Sequence, residues 1–276
     1  MTNKCYRYEK ILYKDGLFNK TIDATYIINL EGNGRLDYIM KQLEEYHPTN
    51  IVYIVFNKGF KKCKKADYII NPPYDLVDAN LNIFRHAKDN NYDNILILED
   101  DFIFNSEIKS DFHINNINNF LEKKKNKLFQ YYIGCVPYLM IPYDNYNYIQ
   151  KSAGTHSTVF SKNLREDLLN TDQKKINDWD IYNNYNYVNR YAYYKPLCYQ
   201  LFPETENSKY WGENNSLFKK QVAFVMNIGK KLYTILNMDK QPEPGFSYYY
   251  NFSKLLFYIL LLLLLIILYS IIRYIR

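Results

Sequence analysis

Short apolar runs alternate with amphipathic segments along the first hundred residues. Residues 25–30, 51–56 and 95–98 are dominated by apolar and β-branched side chains, which predicts strands buried on both faces. Between these runs, over 36–46 and 75–90, apolar residues recur at the spacing of one helical face. Strands and helices that alternate in this way predict a doubly wound α/β domain with a mostly parallel central sheet.

The pattern is less regular after residue 104. Residues 134–148 are rich in proline, tyrosine and asparagine, a composition typical of a loop. Ser161 directly precedes an amphipathic segment and is the predicted N-cap of a helix. The other predicted elements are helices over 108–125, 176–187 and 218–236, strands over 129–133 and 157–160, a short strand over 68–70, and an extended stretch over 191–202.

The C-terminal segment is apolar on every side over 255–272. A helix of this length spans about 27 Å, close to the roughly 30 Å hydrocarbon core of a bilayer. The flanking Lys254 and Arg273 can reach the two interfaces, and no apolar signal peptide precedes the domain. We therefore expect a tail anchor with a cytosolic domain. The predicted units are an N-terminal extension (1–24), an α/β domain (25–240), a linker (241–253) and a transmembrane helix (254–275).

Composition narrows the compartment and the partners. The net charge is +6 and the pI is about 8.8, but the basic residues are spread along the chain, so we expect no nucleic-acid partner. Four scattered cysteines lack the paired spacing of zinc sites. A reducing compartment is the simpler interpretation, although an even number of cysteines leaves disulfides open.

Three carboxylates, Glu99, Asp100 and Asp101, follow the predicted strand over 95–98 without a break. Adjacent negative charges repel one another and are costly to desolvate, so their place at the end of a buried strand predicts a cation there. Carboxylate oxygens suit Mg²⁺ or Mn²⁺. In open α/β sheets ligands bind beyond the carboxyl ends of the strands. The alternative is a solvated acidic turn.

Four segments in this order resemble the glycosyltransferases of family 25, the lipopolysaccharide-biosynthesis and collagen galactosyltransferase type. The resemblance covers roughly residues 25–202. The matching segments are Tyr26-Ile27-Ile28-Asn29-Leu30 with Arg35 and Met40, Leu96-Ile97-Leu98-Glu99-Asp100-Asp101, Ala153-Gly154-Thr155 running into Val159-Phe160-Ser161, and Asp178-Trp179-Asp180 followed by Pro196-Leu197 and Gln200. One departure concerns a Ser-His pair of many members, whose positions hold Ala79 and Asn80 here.

The resemblance implies a GT-A-like domain that uses a nucleotide-sugar donor. It implies that Asp101 meets the metal, that Glu99 or Asp100 contacts the ribose or the donor sugar, and that transfer inverts the anomeric centre. Asp100 is a second candidate metal ligand, and Asn29 lies in the matching strand as a candidate donor-binding residue.

Three further residues are candidates on chemical grounds. Arg35, at the start of the first predicted helix, could bind the donor diphosphate with paired hydrogen bonds, or it could be a surface residue. His156 is a candidate third metal ligand or hydrogen-bond donor to the diphosphate, although a lone histidine is more often structural. The acceptor hydroxyl needs a base, for which Asp180 is the first candidate and Asp178 the second. Between them, Trp179 either stacks on a sugar or lies in the core.

We expect a membrane-anchored, metal-dependent hexosyltransferase acting on a glycan, protein or lipid acceptor. The alternative is a catalytically inactive glycosyltransferase-like membrane protein with a structural or interaction role, which the changed Ser-His positions favour. A metal-dependent phosphatase or nuclease would need more metal-spaced histidines and aspartates than the chain offers.

Overall fold

A seven-stranded sheet with helices on both faces carries the fold in a computed structural model that describes residues 4–201, 231–238 and 240–275. Across this sheet the strands lie in the order β1-β3-β2-β4-β7-β6-β8, and β5 pairs with β9 in a separate two-stranded sheet. The strands are β1 (Tyr6–Leu12), β2 (Ala24–Leu30), β3 (Ile51–Asn57), β4 (Asn94–Glu99), β5 (Phe102–Phe104), β6 (Gln130–Pro142), β7 (Asn147–Ser161), β8 (Arg190–Tyr193) and β9 (Cys198–Gln200).

Three neighbouring strands, β3, β2 and β4, are parallel and confirm the strands predicted over 25–30, 51–56 and 95–98. β2 pairs in parallel with β3 on one side and with β4 on the other. Helix α1 (Leu36–Glu45) connects β2 to β3 and packs into the core on one face, whereas α2 (Pro72–Asp89) precedes β4 and packs on the opposite face. The chain therefore reverses its direction across the sheet between β2 and β4, which is where such folds bind ligands.

The second half corrects the prediction of a mostly parallel sheet, because β7 pairs antiparallel with both β4 and β6. The stretch 134–148, predicted as a loop, instead forms most of β6, the turn and the start of β7 in a long hairpin. Its glycine and prolines coincide with register shifts near Gly134 and Pro137, so they mark bulges rather than an end of the strand. A Cβ at Gly134 would lie 1.8 Å from the Cys198 carbonyl oxygen, which explains a glycine inside this strand.

Other predicted elements change at their boundaries. Helix α3 (Asp111–Lys123) begins later than predicted because a 3₁₀ turn (Ser106–Lys109) precedes it. Helices α4 (Lys162–Asn170) and α5 (Trp179–Asn186) form as expected, and Ser161 caps α4 by accepting a hydrogen bond from the Leu164 amide. The predicted strand over 68–70 is wrong, since these residues form a turn. The helix predicted over 218–236 lies mostly outside the described residues, of which 231–235 are helical.

The stretch predicted as an N-terminal extension belongs to the domain. β1 pairs antiparallel with β3 along its whole length and forms one edge of the sheet. Its Cys5 end is tied to the segment after β3 by a disulfide to Cys63, with the two Cα atoms 5.6 Å apart. The expectation of reduced cysteines is therefore wrong for this pair. A separation of 58 residues gave no sign of the bond, because pairing of β1 with β3 is what brings the two thiols together.

The C-terminal helix α6 (Gly245–Ile275) is continuous from the domain into the apolar segment. It is long and apolar enough to cross a membrane, and none of its most apolar 18-residue window is buried against the domain. One face of its first turns is buried against the domain, however. Tyr250 Oη accepts a hydrogen bond from the Cys135 amide, and Ser253 Oγ donates to the Pro137 carbonyl. The predicted linker over 241–253 is therefore largely a docked helix.

Candidate functional site

The acidic triplet lies at the point where β4 ends and the chain turns into β5. Glu99 is the last residue of β4 and is the cross-strand partner of Ile28 on β2. This register brings the loop after β2 beside the triplet. Positive φ angles at Gly32 and Gly34 (83° and 75°) fold this loop back over the strand end. The predicted convergence of the β2 and β4 ends is therefore present.

Asp100 is held by the loop after β2. Its carboxylate accepts hydrogen bonds from the Leu30 amide, from Asn33 Nδ2 and from Arg35 Nη1. The same guanidinium nitrogen lies 3.6 Å from Asp101 Oδ2. The structure thus brings Arg35, Asp100 and Asp101 together, with Arg35 acting as an internal counter-ion. Its predicted contact with a donor diphosphate stays a prediction, and 21% of its side chain is exposed.

Asp101 is nearly inaccessible, with 3% of its surface exposed. Burial, reinforced by the charge of Asp100, raises the pKa of Asp101 to about 7, although Arg35 and a hydrogen bond from Gln200 act in the opposite direction. A carboxylate in this environment gains from a positive ligand, because a nearby cation would restore the ionised form. The solvated acidic turn considered from the sequence does not describe this group.

Gln200, on β9, is the residue whose role the sequence did not reveal. Its Nε2 lies 3.3 Å from Glu99 Oε2 and 3.2 and 3.3 Å from the two carboxylate oxygens of Asp101. β9 is positioned by pairing with β5, where Gln200 is opposite Phe102. Gln200 is uncharged and lies 99 positions after Asp101, so neither its type nor its spacing indicates a site residue. Only its place in the family resemblance pointed to it.

His156 lies on the far side of the Gln200 carboxamide from the acids. It is fully buried, and its Nε2 lies 3.2 Å from the Cys198 carbonyl oxygen. Because a carbonyl only accepts, Nε2 must carry the hydrogen of this bond. Burial lowers the pKa of His156 to about 4, so the ring is neutral. The metal-ligand role of His156 stays a prediction, with Gln200 lying between the ring and the carboxylates.

Asp180 is linked to the site by a hydrogen bond from the backbone of β7. Its Oδ2 accepts a hydrogen bond of 2.8 Å from the Gly154 amide, where β7 bends with a φ of 73°. A Cβ at Gly154 would lie 3.3 Å from Gln200 Oε1, so the bend directly adjoins the Gln200 carboxamide. Asp178 instead caps α5 by accepting from the Ile181 amide at 2.9 Å.

Trp179 belongs to the core, not to a sugar-binding surface. It is 3% exposed and packs against Phe84 and Phe160, with ring centroids 5.9 and 6.0 Å away. The interpretation of Trp179 as a stacking platform is therefore wrong. As the first residue of α5, it anchors that helix to the sheet and so fixes Asp180 beside it.

Two buried oxygens near the strand ends have no hydrogen-bond partner within the described ranges. They are Asn29 Oδ1 at the end of β2, on a residue that is 3% exposed, and Tyr38 Oη on α1. Burial raises the pKa of Tyr38, as do the nearby Cys198 and Asp101. Buried polar atoms normally find partners, so such atoms favour a bound group. Asn29 retains its predicted donor-binding role as a prediction.

The donor set fits a small divalent ion only in part. The described ranges contain no group of three or more His, Cys, Asp or Glu side chains arranged to hold a metal. Glu99 and Asp101 nevertheless face the same amide group, while Asp100 is occupied by Arg35. Mg²⁺ and similar ions are usually held by one or two carboxylates together with substrate phosphates, so this pair suffices for such an ion.

Two surface depressions lie elsewhere on the described part of the molecule. One, of about 260 Å³, lies between α3 and the turn of the β6–β7 hairpin. A second, of about 380 Å³, is lined by residues of α2 and α4. Neither includes a residue of the acidic triplet.

No protein-family model matches this chain, and no curated protein sequence matches it. Membership of glycosyltransferase family 25 therefore stays a prediction. Among solved structures, a glycosyltransferase involved in the glycosylation of the major capsid of PBCV-1 is similar at 10% identity with a TM-score of 0.39, covering 67% of this chain and 96% of that one. A197 from STIV is similar at 15% identity with a TM-score of 0.37, covering 61% and 80%. Scores this low establish neither a shared fold nor a shared activity.

Proposed function

We propose that this protein is a divalent-cation-dependent glycosyltransferase that moves a sugar from a nucleotide-sugar donor to an acceptor hydroxyl. The observation that supports this proposal is the convergence of Glu99 and Asp101 at the end of a buried strand, where the sheet changes direction between β2 and β4. Asp101 is almost fully buried, and such a carboxylate is rare unless it is paired or binds a ligand.

The chemistry of the site suits a diphosphate leaving group. Breaking the bond between sugar and phosphate leaves negative charge on the diphosphate. A Mn²⁺ or Mg²⁺ ion held by Glu99 and Asp101 would neutralise this charge. Arg35, already beside both aspartates and partly exposed, is positioned to exchange one of its ion pairs for a phosphate oxygen. Asn29 and its unpaired Oδ1 would accept a hydrogen bond from the donor.

Asp180 remains the proposed base for the acceptor hydroxyl. One of its carboxylate oxygens is fixed by the Gly154 amide, which orients the group without neutralising it. A Cβ at Gly154 would lie 3.3 Å from Oε1 of the Gln200 carboxamide that contacts the acids, so the proposed base and the proposed donor site adjoin one backbone bend. Asp178, engaged in capping α5, is the weaker candidate.

A catalytically inactive descendant of the same fold is the second candidate. It is favoured by the ion pairs of Arg35, which already neutralise the acids without any ligand. Ala79 and Asn80, at the positions of the family's Ser-His pair, point the same way. Ala79 is buried in the core, and Asn80 donates its side-chain hydrogen bond to the Leu76 carbonyl within α2. These residues hold α2 in place and present no catalytic group.

We further propose that α6 anchors the protein in a membrane. The exposed apolar surface of the helix supports this part of the proposal. The sequence alone predicted a cytosolic domain, whereas a Cys5–Cys63 disulfide favours an oxidising compartment. The redox state of this pair in the cell therefore bears directly on the orientation.

Asp101→Asn tests the proposed activity, with Asp37→Asn, an exposed aspartate on α1, as the matched control. We expect Asp101→Asn to lower donor hydrolysis and transfer by about 100-fold or more, because it removes charge stabilisation from the leaving group. Asp37→Asn should stay within about twofold. Thermal stability should rise with Mn²⁺ and should rise further when the correct nucleotide sugar is added. Full turnover by Asp101→Asn would refute the proposal.

A further inference from the structure

The carboxamide of Gln200 lies between the carboxylates of Glu99 and Asp101 on one side and the His156 ring on the other. Its NH₂ group faces acceptors only, namely the carboxylates of Glu99 and Asp101 at 3.2 to 3.3 Å. Its Oε1 faces the other way, toward Gly154 and His156. The backbone of Gln200 is fixed, since its carbonyl accepts a 2.6 Å hydrogen bond from Tyr233 Oη. Rotation of the terminal amide is therefore the simplest motion available to this side chain.

The His156 side of this arrangement is unsatisfied. Nε2 is committed to the Cys198 carbonyl, so Nδ1 of the neutral ring can only accept. Nδ1 is buried and finds no hydrogen-bond partner among the described residues. Gln200 Oε1 lies close to the same point beside Gly154, and an amide oxygen also only accepts. An unpaired polar atom on a fully buried side chain is unusual in a native fold.

We propose that Gln200 is an exchangeable cation ligand whose amide rotates when a divalent ion binds between Glu99 and Asp101. Without the ion, the NH₂ hydrogens point between the two carboxylates and supply partial positive charge to them. With the ion bound, Oε1 becomes a third oxygen ligand, and Nε2 donates a hydrogen bond to His156 Nδ1. One half-turn of a single amide thus satisfies the ion and the orphan nitrogen together.

This inference rests on the cation of the proposed function and extends it to two residues that form no carboxylate cluster. It assigns Gln200 to the metal site and His156 to positioning the rotated amide. It also explains why the His156 tautomer matters, since the Cys198 carbonyl keeps Nδ1 free to accept. The ring of Phe246 on α6 lies 6.2 Å from the His156 ring, so the start of the C-terminal helix supports this partner.

Manganese binding to the full-length chain in detergent micelles, followed by electron paramagnetic resonance, tests the proposal. Gln200→Met keeps the size of the side chain but removes its oxygen, and we expect Mn²⁺ affinity to fall at least about tenfold. His156→Leu should weaken binding about fivefold, the typical value of one hydrogen bond, and should have no further effect in the Gln200→Met background. Gln150→Met is the matched control, because Gln150 is a buried glutamine elsewhere on β7, and it should leave the affinity unchanged.

A second measurement reads the rotation directly. In ¹⁵N-labelled protein, saturating Mg²⁺ should shift the His156 Nδ1 resonance as it begins to accept a hydrogen bond. Gln200→Glu keeps an oxygen for the ion but cannot donate, so it should bind Mn²⁺ and leave the His156 resonance in place. The proposal is overturned if Gln200→Met binds Mn²⁺ within twofold of the unsubstituted chain, if Mg²⁺ leaves Nδ1 unmoved, or if the unsubstituted chain binds no Mn²⁺.

These outcomes are separate from those of the proposed function. If Mn²⁺ binds through Gln200 but no nucleotide sugar is turned over, the ligand assignment stands and the transferase proposal fails. If Asp101→Asn abolishes turnover while Gln200→Met binds Mn²⁺ normally, the transferase stands and the role of Gln200 fails.

Discussion

Phe246 is the residue that most directly tests whether the start of α6 is part of the folded domain. It is fully buried, and its ring packs against Tyr199 at 5.2 Å and against His156 and Tyr233 at 6.2 Å between centroids. Replacing a buried phenylalanine by alanine costs about 3–5 kcal/mol, because transfer energy is lost and a cavity remains. We therefore expect Phe246→Ala to lower the free energy of unfolding by about that amount.

The same helix supplies a matched control. Phe252 lies six positions later and is 59% exposed, so Phe252→Ala should change the free energy of unfolding by about 0.5 kcal/mol or less. Both variants can be unfolded with urea in the same mild detergent, with tryptophan fluorescence following the domain. Equal effects of the two substitutions, or none from Phe246→Ala, would show that residues 245–253 are a flexible tether and would refute the docking seen here.

Three further predictions concern stability and compartment. In EDTA, the free energy of unfolding of His156→Gln should fall as pH rises from about 4 to 7. The reason is Asp101, whose pKa is about 7 in the folded chain and 3.8 in the unfolded chain. In Asp101→Asn, the free energy of unfolding should fall as pH drops from 6.5 to about 4, because the folded pKa of His156 is about 4. By equilibrium denaturation we expect changes of about 4 kcal/mol from Asp101 and about 3 kcal/mol from His156. Cys5 and Cys63 should resist alkylation until reduced, and protease added to intact organelles should spare the domain; free thiols with a digested domain would restore the cytosolic orientation. Gly134→Ala should abolish folded expression, because its Cβ would meet the Cys198 carbonyl, and normal expression would contradict the close approach of β6 to β9.

The parallel half of the sheet could be predicted because its signals are local. β2, β3 and β4 are continuous apolar runs, and each intervening helix repeats apolar residues at its own period. The triplet after β4 was likewise visible, since three adjacent carboxylates after an apolar strand are conspicuous in any sequence. Their meeting with Arg35 follows from parallel pairing of β2 with β4, which brings both strand ends to one edge.

The β6–β7 hairpin could not be predicted because its residues serve distant neighbours. Gly134 is a glycine to admit the Cys198 carbonyl, and Pro137 lies where the register shifts, so both resemble loop residues until the partner strands are known. The same reason hid β1, an edge strand with alternating polar residues, and the disulfide that depends on it. Trp179 was ambiguous between core and ligand platform, because periodicity cannot say what covers a helix face.

Gln200 is a site residue that a search for titratable side chains does not find. The acids and the histidine were found because they titrate, yet the structure joins them through an amide that does not. An amide can offer either a donor or an acceptor to the same neighbour after a half-turn, with no change in charge. At the proposed cation site, such an amide would serve both the empty and the cation-bound state of the Glu99 and Asp101 pair. A third carboxylate would add repulsion to a site where Asp100 already requires Arg35 as its counter-ion.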